Sequence, residues 1–271
     1  MADVNFKFTK VFAIVDPTRM VQPSLLRAEA IARLNRAQIH LYCCIAGEPV
    51  DDEDAAVSLE VKATRDWLER IAEAGRARDI DMQVEVECSP NWRQAIIEAA
   101  ARSECDLFIK TASRHSLVGR LFSATADWMM LRTATSPVLL VSRAGLKELS
   151  HRRLLAAIKL KPEDPEHEAM NARIVDLAHY LSAVAGFEMH AVTAYRGDEV
   201  YYDRQAFADS CRLPRNQVHA AEGAPQHGIA AVAADIGADT IVIGNPGDSE
   251  TARRLIDHVD ADVLVLPTEL E

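Results

Sequence analysis

The stretch VFAIVD at residues 11–16 decides the fold, because it returns 143 residues later as LLAAIK at residues 154–159. Each copy is a short apolar run that ends in one charged residue, Asp16 in the first copy and Lys159 in the second. Similarity at a long, fixed offset is the sequence signature of a duplicated structural unit. The sequence therefore predicts two copies of one domain.

A longer match supports the duplication. Residues 88–106 run parallel to residues 222–239, and both segments read as a strand end, a turn, an Ala-rich helix and an acidic turn into another strand. The chain has 271 residues, which is enough for two small domains. We place the first domain at residues 1–145 and the second at residues 151–271, and call them the first and second halves.

Apolar runs and amphipathic segments alternate in each half, which predicts strands and helices in turn. In the first half we expect strands near residues 10–15, 38–45, 82–88, 106–110 and 137–141, and helices near 23–36, 54–79, 91–103 and 125–134. In the second half we expect strands near residues 153–159, 187–195, 217–222, 239–243 and 262–266, and helices near 166–185, 198–211, 225–236 and 249–258. Asn91, with Gln94 three residues later, predicts a capping box at one helix start.

This alternation predicts the fold class. Strands joined through helices form parallel sheets with right-handed crossovers, and continuous apolar strands such as TIVI at residues 240–243 are covered on both faces. We therefore expect two tandem, five-stranded, doubly wound α/β domains of Rossmann-like type. The last strands, residues 137–141 and 262–266, would be apolar edges, so we expect the halves to pack as an internal pseudo-dimer.

Composition narrows the class of protein. The chain carries 30 Lys and Arg against 41 Asp and Glu, a net charge of −11, which argues against nucleic acid as a partner. It has no apolar run of membrane-spanning length, and residues 1–12 lack the apolar core of a signal peptide. We therefore expect a cytoplasmic protein without a membrane partner, and its five cysteines, an odd number, to be reduced thiols.

Three further segments carry a resemblance. They are CDLFIKT at residues 105–111, TADW at residues 125–128 and SPV at residues 136–138. With the strand at residues 11–16, they make nearly the whole chain similar to the tandem members of the universal stress protein family. That resemblance implies a five-stranded parallel sheet with helices on both faces in each half, and a family in which many members bind ATP and others do not.

In ATP-binding members of this family, a Gly-x2-Gly-x9-Gly-Ser/Thr loop follows the fourth strand, and the first strand ends in an Asp near the adenosine. Glycine lets the backbone approach the phosphates, and the helix that follows favours anions. In the first half the glycine positions hold Thr111, Arg114 and Ala124, whereas Thr125 and Asp16 match the family. The resemblance therefore implies a degenerate nucleotide-binding site.

Three interpretations of this first-half loop stay open. Lys110 and Arg114 fill a vestigial pocket or pair with nearby acids, or the loop binds a small anionic ligand other than a triphosphate, or it binds ATP. The candidate binding residues of this half are Asp16, Lys110, Thr111, Arg114 and Thr125. We expect no bound cofactor, with ATP as the alternative.

The second half keeps Gly244 and Gly247 of the loop in the sequence GNPG, but about eight of the following loop residues are missing. The Asp of the first strand is replaced by Lys159. Gly244 and Gly247 remain candidate binding residues, although turn glycines are the simpler interpretation. We expect this half to be a structural or partner-binding domain.

The sequence predicts no metal ligands and no catalytic residues. The nine histidines show no metal-binding spacing, and His40 and His190 occupy equivalent places in the second strand of each half. No Gly-x-Ser-x-Gly elbow is present. Our leading hypothesis is a stress-response protein that binds a small ligand or a protein partner, with further self-association open. The alternatives are an ATP-binding protein with slow ATPase activity and an enzyme of a nucleotide-hydrolase-like class.

Overall fold

A computed structural model describes residues 6–48, 55–112, 126–142, 152–160, 165–195, 203–245 and 250–268. Contacts between Cα atoms divide them into two compact units, one formed by the described residues from 7 to 141 and the other formed mainly by those from 142 onward. These units are described separately below as the first and second halves. The internal pseudo-dimer stays a prediction.

Both halves alternate strands and helices in the predicted order. The elements of the first half are β1 Lys10–Ile14, α1 Pro23–Asn35, β2 Gln38–Ala46, α2 Ala55–Arg76, β3 Met82–Ser89, α3 Trp92–Arg102, β4 Leu107–Thr111, α4 Ala126–Thr133 and β5 Val138–Val141. The elements of the second half are β6 Arg153–Ala157, α5 Pro165–Ala185, β7 Glu188–Tyr195, α6 Arg204–Cys211, β8 Val218–Glu222, α7 Pro225–Ile236, β9 Thr240–Gly244, α8 Glu250–Ile256 and β10 Asp262–Leu266. A short 3-10 turn, Arg215–Gln217, precedes β8.

The strands of each half pair in parallel, as predicted. The order in the first half is β3-β2-β1-β4-β5, and the order in the second half is β8-β7-β6-β9-β10. The first strand of each half is therefore central, with its sequence successor on one side and the fourth strand on the other. Open α/β sheets bind ligands at the point where the strand order reverses, outside the carboxyl ends of the strands.

One hydrogen-bond arrangement recurs in both halves and explains the repeated acidic turn. Asp106 Oδ2 accepts a hydrogen bond from the Lys10 backbone N–H at 2.9 Å, which fixes the start of β1. Asp239 Oδ2 accepts the equivalent bond from the Arg153 N–H at 3.2 Å, at the start of β6. The long side chain of Arg153 also donates to the Ile236 carbonyl at 2.6 Å. The duplicated sequence thus encodes the same anchor for each central strand.

Two local expectations differ from the structure. The helix expected at 198–211 begins at Arg204, because Asp203 caps it by accepting hydrogen bonds from the N–H groups of Gln205 and Ala206. The capping box at Asn91 does not form, since the Asn91 side chain makes no capping bond and Gln94 donates to Glu98 one turn later.

The described part of the chain holds no helix with the length and apolar character that crossing a membrane requires. All five cysteines are free thiols. Cys43 is fully buried in the core, and burial raises its thiol pKa to about 12. A thiol with that pKa is protonated at neutral pH and is inert as a nucleophile.

Candidate functional site

A cavity of about 460 Å³ lies in the first half at the carboxyl ends of β1, β2 and β4. Its remaining walls come from the loop after β1 and from residues of α2 and α3. The volume is within the range of small-molecule sites, and the position between β1 and β4 is where the strand order reverses. The predicted residues Asp16, Lys110 and Thr111 all line this cavity.

The Asp16 carboxylate is engaged within its own loop. Oδ1 accepts hydrogen bonds from the Thr18 N–H at 3.0 Å and the Thr18 hydroxyl at 2.6 Å, and Oδ2 accepts one from Arg19 Nε at 2.8 Å. Burial alone would raise the pKa of Asp16, but the bonds from Thr18 and Arg19 outweigh it and lower that pKa. Asp16 is therefore an ionised carboxylate whose two oxygens already have donors.

Gln22 holds the same loop from the other side, which sequence analysis missed. Its side-chain oxygen accepts a hydrogen bond from the Asp16 N–H at 3.1 Å, and its amide nitrogen donates to the carbonyls of Asp16 and Arg19. The side chain is buried, so these bonds are shielded from water. The only sequence signal is that Gln22 precedes Pro23, a residue typical of the first helical position.

Lys110 is tied into a buried ion pair. Its Nζ lies 2.6 Å from Asp127 Oδ1, and only 13% of the lysine side chain and 7% of the aspartate side chain are exposed. Lys110 Nζ also donates to the Thr111 carbonyl at 3.2 Å. The pair joins the end of β4 to the first turn of α4, so the lysine charge at the cavity wall has a carboxylate beside it. Asp127 belongs to the TADW segment but was not predicted as a site residue.

Thr111 links two elements of the site. Its hydroxyl accepts a hydrogen bond from the Ser24 N–H in the first turn of α1 at 3.2 Å, while the Ser24 hydroxyl donates to the Ile14 carbonyl at 2.6 Å. Thr111 therefore fixes α1 against the ends of β1 and β4. Two other predicted residues, Arg114 and Thr125, lie outside the described residues.

Three cavity residues carry chemistry that the sequence did not single out for this site. Cys44 at the end of β2, Glu60 of α2 and Trp92 of α3 all line the cavity. Burial raises the pKa of Cys44 to about 11, so this thiol is neutral at physiological pH. Trp92 supplies aromatic surface, one face of which carries the Arg93 guanidinium, with Cζ 4.5 Å from the ring centroid. Strands and helices distant in sequence bring these side chains together, which is why no local motif marks them.

In the second half, Gly244 is the last residue of β9 and not a turn residue. A methyl group at this position would overlap Cγ and Sδ of Met170, a buried side chain of α5. Close packing against that helix therefore accounts for the glycine. Gly247 lies outside the described residues.

Comparison with known proteins assigns the family. The model of the universal stress protein family matches residues 7–142, half of the chain. The chain belongs to the universal stress protein family. In an alignment 298 positions long, it is 24% identical to universal stress protein E of Escherichia coli K12, covering 96% of this chain and 94% of that protein. The corresponding protein of Photorhabdus laumondii is 23% identical at similar coverage.

Solved structures support the fold of this universal stress protein over 96–97% of its length. A protein of unknown function from Pseudomonas aeruginosa PAO1 matches with a TM-score of 0.75 and 23% identity, over 96% of this chain and 92% of that one. A universal stress protein from Archaeoglobus fulgidus DSM 4304 matches with a TM-score of 0.72 and 16% identity, over 97% of this chain and all of that one. The predicted α/β fold and family resemblance are confirmed.

Across the described ranges, no three His, Cys, Asp or Glu side chains converge as metal ligands. The two histidines that occupy equivalent places have different partners. His40 Nε2 lies 2.8 Å from Glu85 Oε2, whereas His190 Nδ1 lies 3.1 Å from His219 Nε2. Each pairing joins neighbouring strands of its own half, and His40 and Glu85 are not among the described lining residues of the first-half cavity.

Proposed function

We propose that this universal stress protein acts in the cytoplasm by binding a ligand or a protein partner, without catalysis. In this proposal the first-half cavity takes a small anionic ligand that is not a nucleoside triphosphate. The single observation that carries the proposal is the buried ion pair between Lys110 and Asp127. A lysine that is neutralised by a carboxylate attracts a polyanion far less than a lysine with no acid beside it.

The loop sequence supports the same proposal. The positions at which ATP-binding relatives carry glycine hold Thr111, Arg114 and Ala124 here. Each side chain restricts how closely the backbone can approach a phosphate chain. Thr111 is in addition engaged with the Ser24 N–H, so its place in the loop is fixed by packing of α1.

The cavity walls favour a compact ligand of low charge. Arg19 and Lys110 face the cavity together with the acids Asp16 and Glu60, so the charged lining residues that the structure describes balance. A triphosphate with a bound magnesium ion would meet two carboxylates there, and like charges disfavour its phosphates. A ligand with one anionic group and a flat ring could use Trp92 for the ring and the terminal nitrogens of Arg19 for the charge, since the bond from Arg19 to Asp16 uses Nε.

The alternative function is ATP binding with slow ATPase activity in the first half. Its favourable observation is the location of the cavity, at the reversal of strand order with Asp16 following β1. Isothermal titration with magnesium ATP discriminates the two functions. We expect no saturable binding up to about 1 mM ATP, which corresponds to a binding free energy weaker than about −4 kcal/mol.

Two experiments test whether the first-half cavity binds a small anionic ligand. They are the same titration with AMP and with inorganic phosphate, and native mass spectrometry of the purified protein. We expect a single small ligand to be retained or AMP to bind, and Ala46→Trp at the cavity mouth to abolish that binding. Saturable ATP binding that the Ala46→Trp variant loses would establish the alternative and refute the proposal.

A further inference from the structure

Each half has an edge strand on the side away from its fourth strand, β3 in the first half and β8 in the second. An edge strand presents unpaired N–H and C=O groups, to which a strand of another chain can add. β3 is eight residues long and pairs with β2 along its whole length. Its outer side is therefore long enough to accept a further strand.

Two backbone hydrogen bonds show which carbonyls of β3 face outward. Asp81, just before β3, and Ser89, at its end, accept bonds from N–H groups on the β2 side at 2.8 and 3.2 Å. Successive residues of a strand in a parallel ladder direct their backbone groups to alternate sides. The backbone groups of Met82, Val84 and Val86 therefore point away from β2.

Two arginines of α2 occupy these outward carbonyls. Arg76 donates to the Met82 carbonyl from both Nε and Nη2, at 3.1 and 2.8 Å, and Arg65 Nη2 donates to the Val86 carbonyl at 3.4 Å. Glu69 of the same helix lies 3.4 Å from Arg76 Nη2 and helps to orient it. Bonds from a guanidinium are charge-assisted, and its planar fork can give two of them to one acceptor. These carbonyls are therefore engaged within the chain.

The second half closes the matching position with the same chemistry. The Gly223 N–H bonds to a β7 carbonyl, so the alternate residue Val218, the first of β8, directs its carbonyl outward. Arg204 Nη2 donates to that carbonyl at 3.2 Å. Arg204 is the first residue of α6, whereas Arg76 is the last residue of α2. The two halves thus reach one arrangement from different sequence positions.

The carboxylates of β3 do not close the edge by themselves. Glu85 and Glu87 each lie close to Arg102 of α3, with Nη2 at 3.1 and 3.2 Å. Like charges placed opposite each other in paired strands are destabilising, but here a cation lies beside both carboxylates. The arginine bonds to the backbone are therefore the main barrier to another strand.

We propose that Arg65 and Arg76 keep the β3 edge closed to a second copy of this chain. The second copy is the partner that fits, because a two-fold axis places two identical edges side by side in antiparallel orientation. With both arginines removed, the edge accepts β3 of that copy. The inference does not rest on the proposed function, since no described lining residue of the first-half cavity belongs to β3.

The double variant Arg65→Met/Arg76→Met of the full chain tests this inference. Its matched control is Lys62→Met/Arg70→Met, which removes the same charge from two exposed positions of α2. In sedimentation velocity, we expect the edge variant to reach twice the wild-type mass, with a dissociation constant of about 100 µM or tighter. The control should match the wild type at every concentration. An edge variant that also keeps the wild-type mass would refute the inference, as would association of the control to the same extent.

Hydrogen exchange locates the surface that associates. The N–H groups of Val84 and Val86 point outward, so they should exchange about tenfold more slowly in the associated edge variant than in the dilute one. Association without slower exchange at Val84 and Val86 would place the contact elsewhere and refute the inference. Circular dichroism checks the fold, and Arg76→Met alone, which removes the two shorter bonds, serves as the test if the double variant does not fold.

Discussion

Breaking the ion pair between Lys110 and Asp127 is the sharpest test of the first-half site. The perturbation is Asp127→Asn, which leaves the lysine at the end of β4 without its carboxylate, together with Lys110→Met, which leaves the aspartate without its ammonium group. The two charged atoms lie 2.6 Å apart with 13% and 7% of their side chains exposed, so each variant removes one partner from a charge that is largely shielded from water.

The magnitude follows from that burial. Removing one partner of a buried pair costs about 3–5 kcal/mol, because the remaining charge loses that partner and gains little water in its place. The residual exposure and the bond from Lys110 to the Thr111 carbonyl place the expected loss at the lower end, about 3 kcal/mol for either single variant. The double variant removes both charges, and should be less destabilised than the sum of the singles by about 2–3 kcal/mol.

Tryptophan fluorescence isolates the half that matters. All three tryptophans, Trp67, Trp92 and Trp128, belong to the first half. Urea unfolding followed by their emission therefore reports on that half alone. With a slope of about 2 kcal/mol per molar urea, a loss of 3 kcal/mol moves the midpoint down by about 1.5 M.

An exposed pair in the same half provides the matched control. In α2, Arg76 Nη2 lies 3.4 Å from Glu69 Oε2, and nearly half of each side chain is exposed. Glu69→Gln should therefore lower the free energy of unfolding by less than about 0.5 kcal/mol. A shift for Asp127→Asn no larger than that of Glu69→Gln would refute the reasoning. So would strict additivity in the double variant, since it would mean that the two charges do not interact.

Two further predictions concern the second half. Burial lowers the pKa of both His190 and His219 below 6.5. As the pH falls, these histidines therefore take up protons more readily in the unfolded chain than in the folded one. Their effect on the free energy of unfolding is absent above pH 6.5, and the folded state loses stability as the pH falls below that value. Hydrogen exchange of β7 and β8, corrected for intrinsic rates, should show this loss of stability between pH 7.5 and 5.5. The His219→Gln variant should show a smaller loss, and an equal dependence of stability on pH in both proteins would contradict the prediction. Gly244→Ala should destabilise the fold by about 1–3 kcal/mol in urea unfolding followed by circular dichroism, because the added methyl overlaps Met170. The double variant Gly244→Ala/Met170→Val should recover part of that loss, and no recovery would exclude the overlap as the cause.

The sequence predicts the elements of this fold well, since their signals are local. Apolar or alternating runs identify the strands in the part of the chain that the structure describes, and the repeated anchors at Asp106 and Asp239 follow from a match visible in the sequence. The start of α6 was wrong because its signal is one capping aspartate, Asp203, at the end of a polar segment. Periodicity does not locate such a residue.

The site is less predictable, because its contacts join residues that are far apart in sequence. The structure brings Asp16, Lys110 and Thr111 to one cavity, since strand-end positions converge in a parallel sheet, and their role in binding stays a prediction. The sequence does not predict the hydrogen bonds that the Gln22 side chain makes to the backbone of Asp16 or those that the Asn171 side chain makes to the backbone of Lys159. An amide that holds the residue after a strand has the same sequence pattern as any other polar residue near a helix start.

Net charge does not determine the charge of a cavity in this chain. Residues 1–150 carry 19 basic and 21 acidic residues, whereas residues 151–271 carry 11 and 20, so the second half is the more acidic. Its own cavity, of about 470 Å³ at the ends of β6, β7 and β9, nevertheless has Lys159 at the place where the first half has Asp16. A charge count is dominated by exposed residues, which water screens, but a ligand responds to the few groups within a Debye length inside low-dielectric walls. The argument that an acidic half repels anions therefore applies to its outer surface, and the groups that line its cavity determine what the cavity accepts.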